Sequence, residues 1–174
     1  MVSEVEIRPA KEEDIPVINE IYNHAVRTST ATLETKEKTR EERMEWFRQH
    51  GNRYPVFVTV VDGKVVGWGS ISPYSSTRNG WKSTVESSIY VDPDCKGRGL
   101  GKLLAGHTVS TAQKLGYHAI IAQVVEDNIA SLKMLEKHGF EQVGVLKDAG
   151  YKFDQWLNIV LMEKLLPVED KAYA

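Results

Sequence analysis

The 174-residue chain predicts a mixed α+β domain, in which a sheet of several strands is covered by helices. Two observations carry this prediction. Early in the chain, two β-branched stretches flank Asp62-Gly63, a dipeptide that is typical of a tight hairpin turn. Later, strand-like and helix-like segments alternate, which predicts crossover connections between strands. A hairpin followed by crossovers indicates a mixed sheet.

The first half of the chain supplies two predicted helices and four predicted strands. Apolar residues recur at helical spacing from Ile15 to Ala25, and Pro16 falls in the first turn, where a proline is tolerated. A charged segment around Glu41–Arg48 predicts the second helix. The predicted strands are Val5–Ile7, Val56–Val61, Lys64–Ile71 and Thr84–Val91.

The second half begins with a glycine loop, Lys96–Gly101, that opens a helix ended by Gly116. The segments that follow are predicted as a buried strand Ala119–Val125, a helix from Asp127 or Asn128 to Lys137, and strands at Glu141–Leu146 and Tyr151–Met162. We expect residues 1–166 to form one domain, because this length is usual for a single domain. Residues 167–174 are expected to fray.

The composition limits the classes of function. Lys+Arg 22 against Asp+Glu 24 leaves a net charge of -2, which argues against bulk electrostatic binding of nucleic acid or membrane lipid. Cys95 is the single cysteine and the histidines lack metal-ligand spacing, so neither a disulfide nor a metal site is expected. The first residues lack the apolar stretch of a signal peptide, and a cytoplasmic location is expected.

The most informative segment is 90–104, where a strand ends, glycines turn the chain and a helix begins. The first amides of a helix lack partners and lie at the positive end of its dipole, so this geometry makes an anion site. Lys96, Arg98 and Lys102 add positive charge, which suits a polyphosphate. A nucleotide-binding P-loop is excluded because Leu103 follows Lys102 where Ser or Thr is required, and the dinucleotide fingerprint lacks its third glycine.

Two motifs on successive strand–helix units identify a family that the sequence resembles. Lys96–Gly101 fits a Gln/Arg-x-x-Gly-x-Gly/Ala pattern, with lysine departing at the first position, and 128–140 resembles a second helix motif ending in Glu-Lys-x-Gly-Phe. Both belong to the GCN5-related N-acetyltransferases. Within that superfamily, the phosphinothricin and methionine sulfoximine acetyltransferases are similar to this chain at 21–26, 41–47, 78–92 and 149–157.

The resemblance implies a mostly antiparallel sheet whose fourth and fifth strands splay apart, with acetyl-CoA as the acyl donor and a homodimer as the assembly. The fourth strand would pair through its backbone with the pantetheine arm, the loop amides would hold the pyrophosphate, and the next helix start would hydrogen-bond the cofactor. These cofactor-binding residues are Ile89, Tyr90, Val91, Gly97, Arg98, Gly99, Leu100, Gly101, Lys102, Asn128 and Ser131. Core packing is the alternative for the strand residues, and helix capping for Asn128 and Ser131.

Glu86 is the candidate general base that the resemblance implies. The substrate amine must lose a proton before it attacks a thioester, and a carboxylate whose pKa is raised by burial can take that proton directly or through water. Strand alternation places Glu86, Ser88 and Tyr90 on one face. The alternative is a solvent-facing glutamate.

The substrate pocket is predicted from the same segment. Arg78 would bind a carboxylate or phosphinate, because a guanidinium matches such anions with two parallel hydrogen bonds; a solvated loop arginine is the alternative. Trp81, Ser87 and Ser88 would line the pocket beside Glu86.

One position departs from the pattern. Leu135 stands where the superfamily often has a tyrosine, or the subfamily a histidine, to protonate the leaving thiolate. Two alternatives follow: the thiolate leaves unassisted, or another donor such as Tyr151 serves.

The predicted function is an acetyl-CoA-dependent N-acetyltransferase. It would acetylate the α-amino group of a small amino acid or analogue, of the phosphinothricin or methionine sulfoximine and sulfone type, by direct attack in a ternary complex. Two alternatives stay open. One is the same chemistry on a protein N-terminus, a polyamine or an aminoglycoside; the other is a non-catalytic module that senses acetyl-CoA.

Overall fold

The computed structural model describes residues 4–167. The helices are α1 (Ile15–Thr28), α2 (Arg40–Arg48), α3 (Leu100–Lys114) and α4 (Ile129–Glu136), and the strands are β1 (Val5–Pro9), β2 (Val56–Val61), β3 (Lys64–Pro73), β4 (Thr84–Val91), β5 (Ala119–Val125), β6 (Glu141–Lys152) and β7 (Gln155–Leu165). The tail predicted to fray lies, from residue 168 onward, outside the described residues.

The seven strands form one sheet in the order β1-β2-β3-β4-β5-β7-β6. Neighbouring strands run antiparallel except β4 and β5, which are parallel. The parallel pair is joined through α3, as a crossover connection requires. The prediction of a mixed, mostly antiparallel sheet flanked by helices is therefore confirmed.

The parallel pair is short. Its ladder begins with Thr84 opposite Ala119 and ends with Glu86 opposite Ile121, although β4 continues to Val91 and β5 to Val125. Beyond Glu86 the two strands no longer pair with each other, so the sheet opens at this point. The predicted splay of the fourth and fifth strands is confirmed.

The central strands are buried on both sides because helices cover both faces of the sheet. On one face, Ile15 and Ile18 of α1 pack with Val58 and Trp68. On the opposite face, Leu104 and Ala112 of α3 pack in a larger cluster of strand residues that includes Phe57, Ile71, Val85 and Ile120. Within residues 4–167, none of the helices has the length and apolar character that crossing a membrane requires.

The predicted boundary between the last two strands is wrong. β6 continues to Lys152, and the reversal falls at Phe153 and Asp154, whose φ angles of 53° and 59° are left-handed. The prediction left residues 147–150 between the two strands. Gly150 lies instead at the end of an irregular stretch of β6 that begins at Leu146, so it accommodates a bulge within the strand.

Candidate active site

A cleft of about 670 Å³ opens where β4 and β5 separate. Its walls come from β4, β5, the glycine loop, the start of α4 and the chain that follows α1. Because the β4–β5 ladder stops at Glu86, the β4 backbone groups beyond it that face the gap have no partner in β5. An extended ligand can therefore pair with this edge as an added strand would.

Most of the predicted site residues line this cleft: Glu86, Ser87, Ser88, Ile89, Tyr90, Val91, Gly97, Gly99, Leu100, Gly101, Lys102, Asn128 and Ser131. Three others lie outside its lining. The Arg98 guanidinium is 3.9 Å from the sulfur of Cys95. Arg78 and Trp81 are exposed on the β3–β4 connection, where the ring centroid of Trp81 lies 5.0 Å from that of Tyr74.

The glycine loop forms an anion-binding cradle. Gly97 and Gly99 have φ angles of 78° and 77°, which L side chains rarely adopt, and Gly99 is the N-terminal cap of α3. The amide of Leu103 is the first to donate to the cap carbonyl, at 3.1 Å. The amides of residues 100–102 precede it in the first turn, so they have no intrahelical acceptor and lie at the positive end of the helix dipole. Lys102 adds a positive charge on the cleft wall.

Glu86 lies at the apex of the gap between the strands. Burial raises the pKa of its carboxyl, and a hydrogen bond from Nε2 of Gln123 at 3.3 Å partly offsets that rise. A carboxylate with a raised pKa is a stronger base than an exposed glutamate, and it faces the same cleft as the anion-binding loop. The geometry therefore suits proton abstraction from a group that reacts in the cleft.

The start of α4 has the helix cap that was the alternative role of Asn128. The Asn128 side-chain oxygen accepts a hydrogen bond from the Ser131 amide at 3.2 Å, which confirms the capping alternative for Asn128. Asn128 also lines the cleft, and its side-chain nitrogen is not needed for the cap.

Neither position considered from the sequence places a proton donor for the leaving thiolate in the cleft. Leu135 is buried on the cleft wall and has no proton to give. Tyr151, the donor considered from sequence, is exposed on β6 with its ring centroid 5.0 Å from that of Trp156, and it does not line the cleft.

One wall of the cleft, the connection between α1 and α2, was not predicted from the sequence. Thr32 and Leu33 line the cleft there, and Lys152 of β6 holds the connection in place. The Lys152 side chain, only 4% exposed, donates from Nζ to the carbonyl oxygens of Ser29 and Thr32, both at 2.8 Å. The sequence of this connection is rich in Ser and Thr and has no hydrophobic periodicity that would predict its position. No local signal links it to Lys152, which is more than a hundred residues away.

Replacing Lys152 with methionine is expected to loosen this wall. The two carbonyls lose their shared donor in a buried setting, which costs about 1–3 kcal/mol of unfolding free energy. Amide hydrogen exchange should accelerate at residues 29–34, as mass spectrometry can measure. Lys147→Met, an exposed position on the same strand, is the matched control. If residues 29–34 exchange their amide hydrogens equally slowly in Lys152→Met and in wild type, Lys152 does not anchor this wall.

The site suits an acetyltransferase. It combines two splayed parallel strands, unpaired amides at the start of a helix, and a carboxylate that faces the same cleft. The family model described as "Acetyltransferase (GNAT) family" matches residues 18–140. The chain belongs to that family.

Individual relatives extend the similarity over most of the chain. An "L-amino acid N-acyltransferase MnaT" of Escherichia coli (strain K12) is 35% identical over 158 residues, which cover 90% of this chain and 91% of the relative. An "L-methionine sulfoximine/L-methionine sulfone acetyltransferase" of Salmonella typhimurium is 33% identical, with coverage of 90% and 92%. A crystal structure of a GNAT superfamily phosphinothricin acetyltransferase from Sinorhizobium meliloti, in complex with acetyl-CoA, superposes with a TM-score of 0.91 at 29% identity, with coverage of 99% and 96%.

Proposed function

We propose that this protein transfers the acetyl group of acetyl-CoA to the α-amino group of a small amino acid or a close analogue. The observation that carries the proposal is the position of Glu86 at the apex of the splayed strands, facing the same cleft as the anion-binding loop. Family membership supports the acetyl transfer. The named activities of the relatives support an amino-acid substrate over other classes of amine.

The residues present fit acetyl-CoA. The amides of residues 100–102 and the Lys102 side chain suit the pyrophosphate, and the unpaired edge of β4 suits the amide groups of the pantetheine arm. Asn128 and Ser131 add polar groups beside that path. Among residues 4–167, no cluster of histidine, cysteine and acidic side chains is suited to hold a metal ion.

In this proposal Glu86 takes the proton from the substrate amine, directly or through a water molecule, so that the neutral amine can attack. Acetyl-CoA supplies the thioester carbonyl. Backbone amides of β4 at the gap would orient that carbonyl beside Glu86. In a ternary complex the amine nitrogen attacks the carbonyl carbon directly, the carbon–sulfur bond breaks, and CoA leaves as a thiolate that takes a proton from solvent. Arg78 and Trp81, which lie outside the cleft in the single chain, stay predictions as substrate-binding residues.

A thiol-release assay tests the proposal. Purified protein with acetyl-CoA should release one free thiol per acetylated amine with phosphinothricin, methionine sulfoximine or a free amino acid. A panel of polyamines, an aminoglycoside and a peptide N-terminus tests the other amine classes. Thiol release with that panel alone would contradict the amino-acid substrate, and calorimetric binding of acetyl-CoA without any thiol release would indicate a sensor module.

We further propose that the protein forms a homodimer through the β6–β7 hairpin. Large apolar side chains stand exposed there, and Trp156 is 65% exposed. The other exposed apolar residues of this hairpin are Val143, Leu146, Tyr151, Phe153 and Leu165. Several large apolar side chains exposed on one hairpin are typical of an interaction site.

Trp156→Glu is expected to shift the protein from dimer to monomer in sedimentation velocity, because a charge would be buried without a partner at the interface. Val17→Glu places the same charge at an exposed apolar position on α1 and should leave the sedimentation coefficient unchanged. A monomeric wild type, or a Trp156→Glu variant that stays dimeric, would contradict this interface.

A further inference from the structure

A second cavity of about 450 Å³ lies beside the main cleft, between the sheet and the α1–α2 pair. Its walls come from α1, α2, β3 and β4. Thr32, Ser88 and Tyr90 line both this cavity and the main cleft. The two spaces are therefore adjacent, and they meet along the face of β4 that carries Glu86.

Arg43 of α2 lines this cavity and is only 5% exposed. Its guanidinium carbon lies 4.2 Å from the ring centroid of Tyr22 and 4.8 Å from that of Trp46, and its Nε donates to the side-chain oxygen of Asn19 at 3.4 Å. Within residues 4–167, no carboxylate forms an ion pair with this arginine. Aromatic faces offset only part of the cost of burying a cation, which is several kcal/mol.

The acidic residue on the wall of this cavity is already engaged. A carboxylate oxygen of Glu42 accepts the amide hydrogen of Thr39 at 2.7 Å, where it completes the N-terminal cap of α2. Lys38, also on the wall, is paired with Glu34 at 2.5 Å. The positive charge of Arg43 is thus left without an anionic partner among the described residues that line the cavity.

Other groups on the wall can donate hydrogen bonds. The indole nitrogen of Trp68 is buried and has no hydrogen-bond partner among the described residues. Ser70 and Ser88, whose hydroxyls can donate, line the same space, whereas the hydroxyl of Ser72 is already hydrogen-bonded to Nε2 of His50 at 3.1 Å. A buried cation, an unpaired N–H group and hydroxyls that can donate favour an oxyanion as the occupant, since it accepts from all of them.

We propose that this cavity is the subsite for an oxyanion of the amino-acid substrate, and that Arg43 recognises it. The inference rests on the proposed function. Glu86 and Ser88 are two residues apart on one face of β4, a span of about 7 Å. An amino acid whose amine lies beside Glu86 can therefore direct a side-chain oxyanion past Ser88 into the cavity that Arg43 lines, and an α-carboxylate reaches the near end of this cavity, where Ser88 lines both spaces. A carboxylate or a side-chain oxyanion satisfies the same donors.

Arg43→Gln tests the subsite with three amine substrates. Phosphinothricin carries a carboxylate and a phosphinate, methionine carries the carboxylate alone, and methioninamide carries neither. If Arg43 binds the carboxylate, kcat/KM should fall about 10- to 100-fold for the first two substrates and stay within about threefold for methioninamide. If Arg43 binds the side-chain oxyanion, phosphinothricin alone should be affected.

Two further variants separate recognition from a structural role. Arg43→Lys keeps the positive charge but lacks the planar guanidinium with its paired N–H donors. It should recover part of the kcat/KM that Arg43→Gln loses for the anionic substrates. Arg48→Gln, an exposed arginine of the same helix, should leave all three kcat/KM values unchanged. An equal loss for all three substrates in Arg43→Gln, or no loss at all, would overturn the inference.

A binding measurement distinguishes this inference from the proposed function. Trp46 and Trp68 line the cavity, so phosphinothricin added to the protein in the presence of CoA should change tryptophan fluorescence. Arg43→Gln should weaken that binding at least 10-fold while calorimetric affinity for CoA is unchanged. Wild-type binding without thiol release would contradict the proposed function alone, whereas binding that is equal in Arg43→Gln, or absent in wild type, would overturn the subsite.

Discussion

Glu86→Gln should lower kcat about 100-fold or more, the effect typical of removing a general base. The amide has nearly the shape of the carboxylate and can still hydrogen-bond to Gln123, so the fold and the cleft should be retained. It cannot accept the proton of the substrate amine. The KM for acetyl-CoA should change little, because Glu86 is not among the residues proposed to bind the cofactor.

The pH dependence provides a second readout of the same role. Burial raises the pKa of Glu86 above the usual range of glutamate, so the carboxyl becomes protonated, and unable to act as a base, at a higher pH than an exposed glutamate. In wild type, kcat should therefore fall as the pH decreases through this raised pKa, and Glu86→Gln should lack that decrease. Glu163→Gln on β7, a strand glutamate outside the cleft, is the matched control. An unchanged kcat in Glu86→Gln would remove the base assignment.

Gly99→Val should weaken acetyl-CoA binding by about 10- to 100-fold. A β-branched residue in the left-handed conformation of Gly99 costs about 1–3 kcal/mol, so the loop would relax to another conformation and the amides of residues 100–102 would leave their common orientation. To bind acetyl-CoA, the variant loop must return to the left-handed conformation, and the strain of about 1–3 kcal/mol is then subtracted from the binding free energy. This cost corresponds to the expected loss of affinity. Isothermal titration calorimetry with acetyl-CoA measures it directly.

Gly116 offers a control at the other end of α3. Its φ of 78° matches the 77° of Gly99, and a Cβ at either position meets no atom within 4 Å. Gly116→Val should lower the melting temperature through the same backbone strain while acetyl-CoA affinity stays unchanged. If both variants lose affinity equally, the loss reflects general destabilisation, and the assignment of the loop as the pyrophosphate site is contradicted.

The features that the sequence predicted well are those with local signals. Asp62-Gly63 marked the β2–β3 hairpin, and the glycines of 97–101 marked the turn that leads from β4 into α3. The reversal at Phe153-Asp154 was missed because a bulky aromatic residue such as Phe153 rarely adopts a left-handed conformation, and no glycine follows Asp154 to mark the turn.

The second cavity could not have been predicted from local patterns. Arg43 lies in a charged stretch that indicates a solvated helix face, and helical periodicity alone does not separate it from exposed Arg40 and Arg48. Its burial depends on Tyr22 from another helix and Trp68 from a strand. Contacts between distant parts of the chain set the surroundings of this arginine, and a single sequence does not show them.

The anchoring of residues 29–32 by Lys152 also has a consequence for biosynthesis. Helices α1 and α2 precede β6 by about a hundred residues, so they are synthesised long before their anchor exists. Domains fold as units during synthesis, and long-range contacts form late because closing a long loop is entropically costly. This wall of the cleft should therefore remain unformed in a nascent chain until β6 has been synthesised and has docked.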